Sequence, residues 1–194
     1  MRKVILSVNI TLDGYVASPN GELKWHFQNW NDEMESLISE QIKDIDTILM
    51  GRVVYQVMAK HWPLVELDLA GRIKDLQFAE WINSTQKIVF TRTLSTPDWN
   101  NSKLVKENIR EEINRLKQGK GKDMIMWGGV RIIRSFLEMD LFDEFRLWIA
   151  PVAIGQGLSW FGFEKVRRKI DLHLTSTTTF SNGVVLLNYS KREA

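Results

Sequence analysis

The stretch MIMWGGVRII, residues 124–133, decides the fold, because an apolar strand ends there at a glycine pair and a helix begins directly after it. The stretch ILMGRVVY, residues 48–55, repeats this design with a single glycine. A helix N-terminus carries unpaired N–H groups and partial positive charge, and glycine lets the backbone approach an anion closely. Arg52 and Arg131 add positive charge. These junctions predict a phosphate site, with the alternative that the glycines only make tight turns.

Outward from these junctions, strands alternate with helices until the end of the chain. We predict strands at 4–10, 46–50, 87–91, 124–127 and 144–153, helices at 32–43, 52–59, 69–82, 108–117 and 131–139, and a final hairpin of 169–180 and 183–191. Such alternation is typical of a mostly parallel sheet covered on both faces, and the hairpin makes the sheet mixed. The sequence therefore predicts an α/β fold with three layers, α/β/α, in a single domain, residues 1–194. Both glycine junctions then lie at the carboxyl edge, where ligands bind.

Composition excludes several classes of protein. The net charge is +2, and Lys and Arg are mixed with Asp and Glu along the chain, which argues against a broad nucleic-acid-binding face. The absence of cysteine excludes disulfides and thiolate metal sites, and is compatible with the cytoplasm. No segment approaches the roughly twenty apolar residues of a membrane helix. The apolar run at the N-terminus is broken by Ser7, Asn9 and Thr11, so it reads as a strand rather than a signal peptide.

The histidines and carboxylates do not form a recognisable catalytic pattern by themselves. His26, His61 and His173 are far apart in the sequence, and none has metal-ligand spacing. We therefore expect no metal site. Asp32 and Glu35 lie near the start of one predicted helix, where negative charge commonly serves the helix dipole.

Five motifs resemble one known superfamily in their order and position. They are LDGYVA at 12–17, MGRVVY at 50–55, KIVFTRTL at 87–94, MIMWGGVRIIRSFLEMDLFDEF at 124–145 and PVAIGQGLSWF at 151–161. Together they resemble the dihydrofolate reductase-like superfamily, and most closely the branch that includes the reductase domain of riboflavin biosynthesis. The resemblance covers about residues 3–190.

The resemblance implies a dihydrofolate reductase-like fold that binds NADPH. The implied contacts to the nicotinamide are Asp13, Gly14, Val16, Ala17 and Trp25. Those to the phosphates and the adenosine ribose are Gly51, Arg52, Thr91, Arg92, Trp127, Gly128, Gly129, Val130 and Arg131. Arg92 is the implied contact to the 2′-phosphate, which would select NADPH over NADH. The implied substrate pocket consists of Trp30, Tyr55, Trp127, Pro151, Gly155 and Gly157.

Three positions qualify this resemblance. Val54 stands where the branch usually has a threonine, so a hydroxyl near the phosphates is missing. Trp127 stands where the riboflavin reductases have a substrate-binding glutamate, and an indole cannot accept hydrogen bonds. Glu35, with Trp30 before it, matches the spacing of the carboxylate that protonates the pterin in dihydrofolate reductases. Glu35 is therefore a candidate proton donor, with Asp32 as a second.

We expect an NADPH-dependent reductase that transfers a hydride to a small C=N or C=O substrate of the pterin-like or aminopyrimidine-like class. The alternatives are the 5-amino-6-(5-phosphoribosylamino)uracil reductase of riboflavin biosynthesis, and a non-catalytic dinucleotide-binding protein. Nucleic acid and membrane are not expected partners. A homodimer is expected, with the aromatic segment 148–163 either forming an apolar surface patch or filling the core.

Overall fold

Eight strands form one mixed sheet in the computed structural model, which describes residues 1–67, 72–161 and 169–192. The strands are β1 (Val4–Thr11), β2 (Tyr15–Ala17), β3 (Ile45–Gly51), β4 (Gln86–Phe90), β5 (Ser102–Val105), β6 (Asp123–Met126), β7 (Glu144–Ala150), β8 (Leu158–Ser159), β9 (Leu172–Thr179) and β10 (Val185–Lys191). The helices are α1 (Lys24–Gln28), α2 (Asp32–Gln41), α3 (Arg52–Leu67), α4 (Ile73–Ser84), α5 (Ile109–Gln118) and α6 (Val130–Glu138).

The sheet has the strand order β5-β4-β3-β6-β1-β7-β10-β9. Pairing is parallel from β5 to β7, while β10 runs antiparallel to both β7 and β9. The short strands β2 and β8 form a separate antiparallel pair. The predicted mixed α/β sheet, mostly parallel with an antiparallel pair at its C-terminal end, is confirmed.

Helices cover both faces of the sheet because the central strands are apolar on both faces, as in β1, where the successive residues Val4, Ile5 and Leu6 are all buried. On one face, Leu6 of β1 packs in a core with Ile113 of α5 and Phe136 of α6. On the other face, Ile5 packs in a core that contains Tyr55 of α3 and Ile82 of α4. Farther along this second face, Met34 of α2 packs with Trp148, Phe180, Val184 and Leu186. This arrangement is the three-layer fold that the alternation predicted.

Two element ends differ from the predictions for identifiable reasons. Helix α3 continues to Leu67 although Pro63 lies within it. Trp62 packs on Phe78 of α4 with ring centroids 4.7 Å apart, so tertiary packing outweighs the proline. Strand β7 ends at Ala150 rather than 153, because Pro151 cannot donate to a ladder.

The remaining differences from the predictions are three short elements and one helix whose predicted start lies outside the described residues. The pattern did not predict α1, β5 or β8, which have five, four and two residues. The second predicted helix begins at Ile73, and its first predicted residues, 69–71, lie outside the described residues. None of the described helices has the length and hydropathy that crossing a bilayer would require.

Trp148 belongs to the core and not to a surface patch. It is 1% exposed and stacks on Phe180 with ring centroids 5.5 Å apart. The suggestion that the aromatic segment 148–163 forms an apolar patch is therefore wrong for Trp148. Trp160 and Phe161 are half-buried against the first core, and residues 162 and 163 lie outside the described residues.

Candidate active site

The two glycine junctions lie side by side at the carboxyl edge of the sheet. Strands β3 and β6 are parallel neighbours in which Leu49 pairs with Met126, and the amide of Trp127 donates to the carbonyl of Leu49 at 3.1 Å. The N-termini of α3 and α6 follow directly. The two strand–glycine–helix units therefore place two helix N-termini at the same edge of the sheet.

Gly51 and Gly128 are explained by packing. A Cβ at Gly51 would lie 3.0 Å from Cγ2 of Ile132, and a Cβ at Gly128 would lie 2.8 Å from the same methyl group. Ile132 of α6 thus fills the space that a larger residue at either position would need. For these two glycines, a structural role in a tight junction accounts for the residue type.

Gly129 differs from both because no contact among the described residues requires a glycine there. Its φ is −74°, which any residue adopts, and the nearest atom to a Cβ would be Cγ2 of Val54 at 3.9 Å. Gly129 is the N-cap of α6, and no side chain caps this helix end. A methyl group at Gly129 would occupy open space before unpaired helix N–H groups, which is where an anion binds. The site therefore fits a phosphate group.

Cationic and hydroxyl side chains accompany this edge. Arg52 and Arg131 are exposed at the starts of α3 and α6, and Nη1 of Arg52 donates to Oε1 of Gln56 at 3.0 Å. After β4, the Thr91 hydroxyl oxygen accepts from the amides of Thr93 and Leu94, at 3.2 and 3.1 Å. Arg92 belongs to this turn and is exposed at the carboxyl end of β4, the strand that pairs with β3. The predicted phosphate contacts thus lie along one edge of the sheet.

Asp13 ties the loop after β1 to the loop after β7. Its Oδ2 accepts from the amides of Ile154 and Gly155, at 3.0 and 2.7 Å, and its Oδ1 accepts from the Thr11 hydroxyl at 2.6 Å. The Thr11 hydrogen bond is the main reason that the pKa of Asp13 lies below its usual value. The Asp13 carboxylate therefore holds the loop after β1 and the loop after β7 together.

Tight contacts fix the same two loops to each other. A Cβ at Gly157 would clash with the carbonyl oxygen of Ala17, so β8 can pair with β2 only if this position is glycine. Gly14 and Gly155 have φ values of +84° and +74°, which favour glycine. The predicted contacts Val16 and Pro151 lie in these loops as well, Val16 half-buried and Pro151 exposed.

A cavity lies between α1, α2 and the carboxyl ends of β1 and β7. Its lining includes Asn9, Trp25, His26, Asn29, Met34 and Trp148, and we call it the Trp25 cavity. The enclosed part measures about 10 Å³, enough for one water, and the space including its open mouth measures about 170 Å³. Strand β1, which carries Asn9, lies next to β6, which leads into the second glycine junction.

The polar groups of this cavity are neutral. Burial lowers the pKa of His26 to about 4, so its imidazole carries no charge at neutral pH. Nδ2 of Asn29 donates to the carbonyl of Trp25 at 2.6 Å, which holds the short helix α1. The indole N–H of Trp25 is buried and has no acceptor among the described residues.

The two candidate proton donors lie outside the lining of the Trp25 cavity. Arg72 Nη2 lies 2.5 Å from Oε2 of Glu35 and 3.2 Å from Oδ1 of Asp32. The Glu35 side chain is 18% exposed, while that of Asp32 is 78% exposed. The structure thus joins both carboxylates to one guanidinium at the start of α4.

Three predicted pocket aromatics lie in different surroundings. Tyr55 is fully buried under α3, and its hydroxyl oxygen accepts from the amide of Trp99 at 2.9 Å, so it does not line the Trp25 cavity. The ring of Trp127 packs on Trp81 of α4 at 5.8 Å. The ring of Trp30 lies beside the cavity, 5.3 Å from His26.

Asn9, His26 and Trp148 are lining residues that the sequence alone did not identify. The available signal was on β1, where Ser7, Asn9 and Thr11 put polar groups on one face of a central strand. Polar residues that interrupt an apolar strand face indicate that this face contacts polar groups, such as those that line a cavity. Among the described residues, no group of three His, Asp or Glu residues could hold a metal ion.

Comparison with known proteins gives consistent matches over nearly the whole chain. The family model described as "RibD C-terminal domain" matches residues 2–186. The uncharacterised protein YyaP of Bacillus subtilis (strain 168) is 35% identical over 190 residues, which are 97% of this chain and 94% of YyaP.

Two solved structures are similar in fold. A Shewanella sp. PV-4 protein named for riboflavin biosynthesis superposes with a TM-score of 0.76 at 20% identity, over 98% of this chain and 99% of that one. Dihydrofolate reductase from Enterococcus faecalis, complexed with NADP(H), superposes with a TM-score of 0.61 at 10% identity, over 98% and 97% of the two chains.

Proposed function

Because the chain belongs to the RibD C-terminal domain family of reductase domains, we propose that it is an NADPH-dependent reductase of a small C=N or C=O substrate. The substrate would be of the aminopyrimidine-like or pterin-like class. The observation that carries the proposal is the open space at Gly129, before an uncapped helix at the carboxyl edge of the sheet. The Enterococcus dihydrofolate reductase was complexed with NADP(H), which supports the same cofactor for this fold.

The residues that would hold the cofactor surround the two glycine junctions. The amides of Gly129 and Val130 would bind the pyrophosphate, with Arg52 and Arg131 adding positive charge. Arg92 would bind the 2′-phosphate and so favour NADPH over NADH. The loop that Asp13 holds would border the nicotinamide. When bound, NADPH would supply the hydride, and the protein would bind and orient the substrate.

Reduction also needs a proton on the heteroatom that receives the electrons. Glu35 and Asp32 remain the proposed carboxylate donors, but both are bound to Arg72 and neither lines the Trp25 cavity. His26 is neutral there at neutral pH because of its lowered pKa. We favour water that enters through the open mouth of the cavity as the proton source.

Binding of NADPH tests the proposal directly. Titration with NADPH should quench tryptophan fluorescence and raise the melting temperature, as expected for a ligand that binds only the folded state. NADH at the same concentration should have a smaller effect, and Arg92→Ala should reduce this difference. The absence of any stabilisation by NADPH would end the proposal.

The riboflavin-pathway reductase is the second candidate, and the family match favours it. Complementation of a bacterial riboflavin auxotroph that lacks this reductase would establish it. Trp127 argues against it, because its indole packs on α4 and offers no acceptor to a substrate. A non-catalytic protein would instead bind NADPH without oxidising it in the presence of carbonyl and imine substrates.

We also propose that the protein is a cytoplasmic homodimer that consists of one domain. Four aliphatic side chains on α3 are exposed, namely Val53, Val57, Leu64 and Leu67. Their spacing places them on one side of the helix. A stripe of this kind is suited to contact with a second copy of the chain.

A further inference from the structure

A single carboxylate connects the end of β1 to the loop after β7. Oδ1 of Asp13 accepts from the Thr11 hydroxyl at 2.6 Å, and Thr11 is 0% exposed. The Thr11 hydroxyl oxygen also accepts from the amide of Tyr15 at 2.9 Å, which fixes the turn that leads into β2. Oδ2 of Asp13 accepts from the amides of Ile154 and Gly155, at 3.0 and 2.7 Å. Both carboxylate oxygens are therefore used between the two loops.

The same loops are attached to each other again and to α6. Strands β2 and β8 pair antiparallel where Gly157 lies against a carbonyl of β2, at a distance that excludes a Cβ. Nη2 of Arg134 on α6 donates to the carbonyl of Ser159 in β8 at 2.7 Å. We call these joined loops, residues 12–17 and 151–161, the β2–β8 wall. The wall thus has one attachment within itself at Asp13 and one to α6 at Arg134.

The attachment to α6 places the wall close to the proposed phosphate position. Gly129 is the N-cap of α6, and Val130 is the first residue of this helix. Arg134 follows Val130 by one turn, which is about 6 Å along the helix axis. Val16 and Trp160 of the wall pack against the core to which α6 contributes. The separation between the wall and the phosphate position therefore depends on the contacts of Asp13 and Arg134.

From these contacts we propose that Asp13 and Arg134 are positioning residues, which hold the β2–β8 wall where it borders the bound dinucleotide. Asp13 fixes the two loops of the wall to each other, and Arg134 fixes the wall to the helix of the phosphate position. Both side chains act through the loops, to which their hydrogen bonds are directed. A wall that is already in place lowers the entropy cost of binding. The inference rests on the proposed reductase function.

The holding role of Asp13 is tested in the free protein by hydrogen exchange of the Ile154 and Gly155 amides, followed by NMR. Asp13→Ala should raise both exchange rates about 5-fold or more, because each amide loses its acceptor. Asp13→Asn keeps the shape and one carbonyl oxygen, so it should raise the rates less. Glu22→Ala is the matched control, because it removes an exposed carboxylate from the segment after β2. It should leave both rates unchanged.

The positioning role is tested by NADPH affinity. Asp13→Ala should weaken NADPH binding about 3- to 10-fold, as expected when the binding-competent arrangement is populated only part of the time. Arg134→Met, which keeps an apolar stem and removes the donors, should have an effect of the same size. Glu138→Gln, an exposed change on the same helix, should have none. Lys87→Met should lower the melting temperature without changing NADPH affinity, which separates positioning from a loss of stability.

A double variant shows whether the two residues act on one wall. Asp13→Ala combined with Arg134→Met should lose less NADPH affinity than the product of the two single losses, because either change alone already releases the wall. A loss equal to that product would contradict a shared wall.

Two further results would overturn the inference. They are unchanged exchange of the two amides in Asp13→Ala, and full NADPH affinity in both single variants. Asp13→Asn takes the place of Asp13→Ala in every measurement if the alanine variant does not fold. The absence of NADPH binding by the wild-type protein would instead end the proposed function and the positioning role together. Binding by the wild-type protein and by both variants would end the positioning role alone.

Discussion

At the scale of single residues, the neighbours Gly128 and Gly129 are glycines for different reasons. Gly128→Ala should destabilise the protein by about 1–3 kcal/mol, because its new methyl group would lie 2.8 Å from Ile132. Gly129→Ala should leave the melting temperature nearly unchanged, since its methyl group would meet only Val54 at 3.9 Å. The same substitution should weaken NADPH binding by about 10-fold or more, because it fills the proposed phosphate position.

Thermal melts and NADPH titrations of these two variants, side by side, check the prediction. Each variant serves as the control for the other, because Gly128→Ala changes the packing against Ile132 and Gly129→Ala changes the proposed phosphate position. Full NADPH affinity in Gly129→Ala would show that the phosphate lies elsewhere.

Glu35 illustrates the difference between a spacing and a position. Its distance along the chain from Trp30 suggested a proton donor, but in the structure its carboxylate binds Arg72. We expect Glu35→Gln to change kcat less than about threefold, because water can reach the mouth of the Trp25 cavity. Steady-state kinetics with Asp32→Asn as the matched control check this. A loss of 100-fold or more in Glu35→Gln alone would restore the carboxylate as the donor.

The sequence predicted residues whose role depends on the backbone better than residues whose role depends on a neighbour. Glycines after strands indicated the anion edge, because a strand–glycine–helix junction is local. Asn9 and Trp148 come together only through the pairing of β1 with β7, where they occupy the same register. No local pattern reveals that pairing, so the cavity was found only in the structure.

At the scale of elements, a buried lysine closes the end of α4. Nζ of Lys87 donates to the carbonyls of Ile82, Asn83 and Thr85, at 2.6, 3.1 and 2.6 Å, and lies 4.5 Å from the ring centroid of Trp99. These are carbonyls that a helix end leaves unpaired. Lys87→Met should therefore destabilise the protein by about 2–3 kcal/mol at pH 7, measured by urea unfolding.

The same lysine should make stability depend on pH. Burial lowers the pKa of Lys87 from 10.5 to about 8, so between these values the unfolded chain holds a proton that the folded chain has released. The unfolding free energy of the wild-type protein should then rise from pH 8 to pH 10.5, relative to Lys87→Met. A parallel pH dependence of the two proteins would contradict the assignment.

Elements that the sequence did not predict are short or depend on packing. Helix α1 has five residues and no side-chain cap, and β5 is a four-residue edge strand. Helix α3 passes through Pro63, which sequence rules treat as an end. Long elements with clear periodicity, such as α5 and β1, began and ended within one residue of the prediction.

At the scale of the whole molecule, the exposed aliphatic side of α3 is a feature that packing within one described chain does not explain. The outer strand β9 carries mostly polar residues, whereas Val57 and Leu64 on α3 are 66% and 67% exposed. We expect light scattering to give the mass of a dimer for the wild-type protein. The double variant Val57→Lys with Leu64→Lys should give the mass of a monomer, because two charged ends would have to lose water in the interface.

The control for this variant is Lys60→Ala, which lies on the same side of α3 and removes a charge instead of adding one. It should remain dimeric. Since α3 also begins at the anion edge, NADPH binding by the double lysine variant shows whether the two surfaces are independent. We expect its NADPH affinity to stay within about twofold of wild type, because Val57 and Leu64 lie one or more turns beyond Arg52. A wild-type mass of one chain would end the dimer proposal and leave the reductase proposal unaffected.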